Sequence, residues 1–297
     1  VRSRGLGDVY KRQSLYPTKK GIKVVFRNVW GKDRDDLEFL KNNLVPFSKD
    51  KISNKFCLNY WNYSNIVFRT IEKVIIEEKL KDEQADIFLL PEMFATGFCV
   101  DTEEVADSKG EILAWMKHFA EKKKSAVGGS VSVKENGQMY NRFYFVEPSG
   151  KVHQYDKRHL FSFGGEDKIY TAGKERVVVD YKGVRFLLLV CYDLRFPVFA
   201  RNVDNYDVMI NVASWTESRI LAWETLLRAR AIENQSFVFG VNRIGKDGSG
   251  LNYPESTHCF YADGTEISEK NGDIVSANID LEKLNSFRQK FKVLLDR

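Results

Sequence analysis

The sequence holds no apolar run near the length that a membrane-crossing helix needs, about 18 residues or more. Its longest apolar stretches, such as Val184 to Val190 broken only by Arg185, have the length of strands. The basic opening segment, Val1 to Lys20, lacks an apolar core and a small-residue cleavage site, so a secretory signal is not expected there. Cysteine and histidine are scarce, four of each. Cys57, Cys99, Cys191 and Cys259 form no CxxC pair, and His118, His153, His159 and His258 make no metal signature with them. No metal or cofactor is therefore expected, and free thiols in a chain this long suggest a reducing, cytoplasmic compartment. Charge of one sign is also lacking. The 46 basic residues are interleaved with 41 acidic ones, and the net +5 gathers into no basic stripe. Nucleic acid is accordingly not an expected partner.

What is present is a chain that is 43% apolar, enough for one large core or two modest domains. From Ala85 onward, strand and helix signals alternate. Ala85–Leu90 is a short apolar run closed by Pro91, which predicts a buried strand ending at Glu92. Glu111–Lys124 has apolar residues at helical spacing. Ala126–Val133 reads as a strand followed by an Asn136-Gly137 turn, and Asn141–Val146 with Lys151–Tyr155 as a hairpin. Val184–Val190, Tyr206–Ala213 and Phe237–Asn242 are further strands, with an amphipathic helix over Glu217–Gln235 and a last hairpin over Cys259–Ile267. This alternation predicts a layered α/β fold in one domain.

Residues 1 to about 80 show no comparable pattern. Suitable codons for Leu58–Ile66, read one nucleotide later, encode Ile-Ile-Gly-Ile-Ile-Gln-Thr, a far better buried first strand. The region before Leu80 is thus expected to be an extension partly out of frame or misread, with the domain proper over 81–297.

Three reactive side chains share one context, just past the end of a strand, where layered α/β folds collect their sites. Glu92 follows Ile87–Leu90, Lys157 follows Lys151–Tyr155, and Cys191 follows Val184–Val190. The types suit one another. A thiol needs a base or a cation to react at neutral pH; a carboxylate can take its proton, and an ammonium can hold an oxyanion. The Tyr192 N–H is a second donor of the right kind. Taken singly, each residue has an ordinary reading: a cysteine after an apolar strand is more often packing than a nucleophile. Arg228, Arg230 and Glu233 read as an ion-paired helix face, and His159, His258 and Cys259 as structural.

The three local sequences together resemble the nitrilase superfamily of carbon–nitrogen hydrolases. They are Leu-Leu-Pro-Glu-Met-Phe at 89–94, Tyr-Asp-Lys-Arg-His-Leu-Phe at 155–161 and Val-Cys-Tyr-Asp-Leu-Arg-Phe-Pro at 190–197. Asn-Val-Ala-Ser-Trp at 211–215 and Arg-Ala-Arg-Ala-Ile-Glu-Asn at 228–234 add to the match. The resemblance implies a four-layer α-β-β-α sandwich, commonly paired into homodimers through the region around the nucleophile. It implies Cys191 as nucleophile, Glu92 as general base and Lys157 as oxyanion-stabilising cation, with a second acidic residue at Glu166 or its neighbour Asp167. The run Met93–Phe98 and the segment around Cys191 are most similar to the omega-amidase branch, whose substrates are terminal amides of 2-oxo acids such as 2-oxoglutaramate. The substrate carboxylate then needs a cation, for which Arg195 and Arg243 are the candidates, with Phe94 and Trp215 lining the pocket. An N-carbamoyl or other small amide remains an alternative substrate, and a non-catalytic binding or assembly subunit an alternative role. The family's first strand, expected before Asp86, has no clear counterpart in the chain as written.

Overall fold

A computed structural model describes residues 22–27, 73, 76–98, 106–247, 250–272 and 274–296. Its strands are β1 (Ile22–Arg27), β2 (Ile87–Leu89), β3 (Ala126–Glu135), β4 (Gln138–Val146), β5 (Val152–Asp156), β6 (Val178–Tyr181), β7 (Val184–Val190), β8 (Val208–Ala213), β9 (Phe237–Asn242), β10 (Gly245–Lys246), β11 (Asn252–Tyr253), β12 (His258–Phe260), β13 (Glu269–Asn271) and β14 (Ile274–Ile279). The helices are α1 (Glu111–Lys123), α2 (Pro197–Ala200), α3 (Ile220–Asn234) and α4 (Leu281–Lys290). One sheet runs β13-β14-β1-β2-β3-β4-β5 and a second β12-β9-β8-β7-β6.

The strand sequences explain the stacking. Along β7, Phe186, Leu188 and Val190 point one way and Leu187 and Leu189 the other, as the two-residue repeat of a strand requires. The first set joins Ile210, Phe239 and Val241 from its own sheet and Ile87, Leu89, Phe143 and Phe145 from the other, forming the core between the sheets. The second set packs with Met209 and Val238 under Trp223, Leu227 and Ala231 of α3. On the far side, Phe88, Val127 and Tyr144 pack under Ile112, Trp115, Met116 and Phe119 of α1. The layers are therefore helix, sheet, sheet, helix. Strands buried on both faces are nearly all apolar, which is why β7, β8 and β9 are hydrophobic runs with a single polar residue each, Arg185, Asn211 and Asn242.

Two local features set the spacing of these layers. Asp107 accepts the N–H groups of Glu111, Ile112 and Leu113 at 2.8, 2.9 and 3.4 Å and so satisfies the first turn of α1. Gly240 lets α3 lie close on β9, because a Cβ there would come within 2.3 Å of a Leu227 methyl and 2.8 Å of the Trp223 ring.

Several expectations change in detail. The helix expected from Glu217 begins with a 3-10 turn over Glu217–Arg219 and becomes α-helical at Ile220. It ends at Asn234 because Gln235 adopts φ 43°, a left-handed stop. The expected hairpin over Cys259–Ile267 keeps its tight turn, with Gly264 donating to the Tyr261 carbonyl, but only His258–Phe260 form a regular strand. The first strand of the large sheet comes from a segment the sequence pattern left unassigned. Ile22–Arg27 lies between β14, to which it is antiparallel, and β2, to which it is parallel. Lys23 and Arg27 frame its short Val-Val-Phe run, which is why the apolar signal there is weak. The stretch Leu58–Ile66 lies outside the described residues.

Candidate active site

Cys191, Glu92 and Lys157 come from three different strand ends, and the fold brings them together. Glu92 lies just past β2 and is buried, 1% exposed. Its Oε1 accepts from Lys157 Nζ at 2.9 Å and from Asn141 Nδ2 at 2.8 Å, and its Oε2 accepts from the Ser214 N–H at 2.9 Å. Lys157 follows β5 and is equally buried; Nζ also donates to Glu166 Oε2 at 2.8 Å and Oε1 at 3.1 Å. Glu166 sits in a 3-10 turn and is anchored by the Phe161 N–H at 2.7 Å. Its neighbour Asp167 is exposed, so Glu166 is the acidic residue of this loop that faces the lysine. Two carboxylates thus share one ammonium in a region closed to solvent. Such a cluster tolerates burial only because every member is paired and hydrogen-bonded.

Cys191 opens a five-residue 3-10 turn directly after β7. Its φ of 46° is left-handed, a conformation that costs an L-residue with a side chain about 1–2 kcal/mol. The sharp turn holds the thiol at the strand ends, at the margin of both the inter-sheet core and the core under α3. There it lies within the electrostatic reach of the Glu92 carboxylate and the Lys157 ammonium. Burial pushes the thiol pKa well above its ordinary 9.0, and Glu92 adds to the rise; Lys157 opposes it. Burial alone would lower the Lys157 pKa, but Glu166 and Glu92 outweigh it and hold the ammonium well above its usual range. The resting state is a neutral thiol next to a carboxylate and a cation. That set can supply a sulfur nucleophile, an acceptor for its proton and a charge for a developing oxyanion. The Tyr192 N–H lies in the first turn of the Cys191 helix, where no intrahelical carbonyl precedes it.

The expected pocket residues divide. Phe94 turns away from the site: it is 1% exposed and packs on Trp115 of α1, with ring centroids 5.8 Å apart. The left-handed φ of Met93, 46°, rotates the chain after Glu92 and sends Phe94 into the outer layer. Trp215 likewise places its indole against Trp223 of α3 at 5.3 Å, with Nε1 donating to the Arg219 carbonyl at 2.8 Å. Arg195 is half-buried, its guanidinium 4.9 Å from the Trp215 ring centre. Arg243 is buried at the tip of β9, stacked 4.3 Å from the Tyr253 ring centre. Phe98 reaches the site instead, its ring 5.8 Å from Lys157 Nζ.

Three members of the site carry no such expectation. Asn141 joins the two carboxylates, donating to Glu166 Oε1 at 3.0 Å as well as to Glu92. The signal for it was a fully buried asparagine within an apolar strand, where asparagine is disfavoured. Ser214 acts through its backbone, which sequence alone does not display. The third is Asp193, fully buried two residues after Cys191. The ion-paired face expected on α3 is also only partly so. Arg230 pairs with Glu233 at 2.9 Å, yet it is buried and donates to the Leu194 carbonyl at 2.7 Å, tying α3 to the Cys191 turn. Arg228 lies over the Phe260 ring, 4.6 Å from its centre, and donates to the Gly264 carbonyl. Among the described residues no His, Cys, Asp and Glu group could hold a metal ion, and no helix is long and apolar enough to cross a membrane.

A four-layer α-β-β-α sandwich with thiol, carboxylate and ammonium at its strand ends defines an α/β enzyme of the nitrilase type. The chain belongs to the carbon–nitrogen hydrolase family, whose model matches residues 61–289. It is 42% identical over 217 residues to the omega-amidase YafV of Yersinia enterocolitica, covering 72% of this chain and 85% of that protein. It is 34% identical over 226 residues to the 2-oxoglutaramate amidase of Bacillus subtilis, covering 73% and 86%. Among solved structures it resembles XC1258 of Xanthomonas campestris, a CN-hydrolase superfamily protein with an arsenic adduct in its active site. That match has a TM-score of 0.76 and 32% identity, covering 93% of this chain and 97% of the other. The chain is a hydrolase acting on carbon–nitrogen bonds.

Proposed function

We propose that the protein hydrolyses the terminal amide of a small 2-oxo acid amide, such as 2-oxoglutaramate, to a carboxylate and ammonia through a thioester on Cys191. The observation that carries this reading is the buried Glu92–Lys157–Glu166 cluster against the Cys191 thiol, in a chain similar to omega-amidases. Glu92 takes the thiol proton as sulfur attacks the amide carbon. Lys157 and the Tyr192 N–H hold the oxyanion. As the tetrahedral intermediate collapses, Glu92 returns the proton to the departing nitrogen and ammonia leaves. Water, deprotonated by Glu92, then attacks the thioester; the carbon–sulfur bond breaks, the thiol regains its proton and the acid is released. Glu166 and Asn141 position Lys157 and Glu92 through the contacts described. Arg195, whose guanidinium makes no ion pair among the described residues, is the partner we assign to the substrate carboxylate, ahead of the buried Arg243.

The hydrolase unit is assigned to 81–297 together with strand β1, which completes its large sheet, acting in the cytoplasm without a cofactor, as a homodimer paired near the nucleophile. The exposed Val198, three residues past Arg195, supports pairing on that face. Cys191→Ala should abolish ammonia release from 2-oxoglutaramate, and an active variant would refute the nucleophile assignment. In a release assay across 2-oxoglutaramate, 2-oxosuccinamate, glutamine and an N-carbamoyl amino acid, the oxo-amides should turn over fastest. Preference for the carbamoyl compound would move the substrate class, and no turnover of any would favour a binding subunit.

A further inference from the structure

The left-handed turn at Cys191 has to be held in place, since a side chain at φ 46° relaxes unless its surroundings over-determine it. The group that does so is the carboxylate of Asp193. Its Oδ2 accepts from the Val190 N–H at 3.0 Å, so one oxygen spans the strained residue from the strand before it to the turn after it. The same oxygen accepts from the Tyr155 hydroxyl at 2.7 Å. Oδ1 accepts from the His159 N–H at 2.9 Å and pairs with His159 Nδ1 at 2.8 Å. Tyr155 and His159 stand two residues before and two residues after Lys157. One buried side chain therefore bridges Cys191 and grips both flanks of the lysine. The His159 ring also stacks on Phe196 at 3.7 Å and 8°, closing the contact between the two segments.

We propose that Asp193 is the positioning residue that fixes the Cys191 turn and registers it against Lys157, with Tyr155 and His159 as its two grips. The proposal rests on Cys191 being the attacking group. All four partners present hydrogens to the carboxylate, so a carboxamide at 193 sets its own N–H groups against a donor. Displacement of the turn then misplaces the sulfur from its line of attack without removing any group that touches substrate.

The test uses the full chain with Tyr155→Phe, His159→Phe and Asp193→Asn. The first two keep ring packing and each deletes one of the four hydrogen bonds to Asp193, and Tyr155→Phe also removes the acceptor of the Arg158 N–H. Readouts are kcat and KM for 2-oxoglutaramate, the melting temperature, and the rate at which iodoacetamide alkylates Cys191, followed by mass spectrometry of its peptide. In the two conservative variants kcat should fall about tenfold, and in Asp193→Asn about 10²-fold, with KM within about twofold, as expected for sub-ångström misplacement. Alkylation should slow in step, while the melting temperature of the conservative variants stays within a few degrees. Full kcat in both conservative variants would overturn the proposal. So would a loss confined to KM, or one that tracks only the unfolded fraction. If Asp193→Asn does not fold, the two conservative variants decide. Alkylation needs no substrate, so the turn is still read if Cys191→Ala shows that the nucleophile reading itself has failed.

Discussion

At the scale of single residues, the site is governed by where protons sit. The thiol of Cys191 has its pKa raised by burial and by Glu92, so in the folded protein it keeps its proton above its ordinary 9.0. The unfolded thiol does not. Above that pH the unfolded state binds fewer protons than the folded state retains, and stability falls as pH rises. Lys157 has the same sign: its raised pKa adds stability in full below its ordinary 10.5 and loses it as pH climbs through the folded value. Replacing Cys191 by Ala should therefore flatten the alkaline decline of the melting temperature beginning near pH 9.0. An unchanged decline would mean that the thiol is not held neutral by the site. The three reactive residues were legible because each follows a strand within a distinctive run, a buried strand for Glu92 and Cys191 and a partly exposed one for Lys157. Asn141 and Asp193 were not, because their roles lie in contacts to residues far away in sequence. Phe94 was misjudged for a conformational reason: a left-handed Met93 cannot be read from composition.

At the scale of elements, helix and strand lengths followed from apolar spacing, and the exact extent of β7 and β9 shows how far a doubly buried run carries. Short exposed strands carry much less. The edge strand β13 is exposed throughout and has no hydrophobic face to announce it. The helix α4 has its start written in Asp280, whose side chain accepts from the Lys283 N–H at 2.9 Å, but only Leu284 of that helix is buried. Capping is also what holds α1 on the large sheet. Asp107→Ala leaves its first-turn N–H groups unsatisfied and should cost about 1–2 kcal/mol. That should appear as a lower melting temperature, with kcat per folded molecule unchanged, since Asp107 touches none of the reactive groups. A fall in kcat at constant folded fraction would show that α1 reaches the site.

At the scale of the whole molecule, the two sheets are joined face to face and the reactive groups are shared between them: Glu92 and Lys157 from one, Cys191 and Ser214 from the other. The integrity of each sheet is therefore a condition for the site. β1 lies inside the large sheet with partners on both sides, and Ile76 and Leu80 are buried beneath α1. Removing residues 1–80 should expose two unpaired strand edges and an apolar face, giving an aggregated chain without activity. A soluble, active 81–297 fragment would show instead that the preceding segment is dispensable. The outermost layer has a part in this as well. Because residue 240 has no side chain, α3 rests against the back of β9 closely enough for Arg230 to clasp the Leu194 carbonyl. A single methyl at 240 would lift that helix off its bed and slacken the clasp. Sensitivity of turnover thus extends to the rear of the molecule, a full layer away from any atom a substrate could touch.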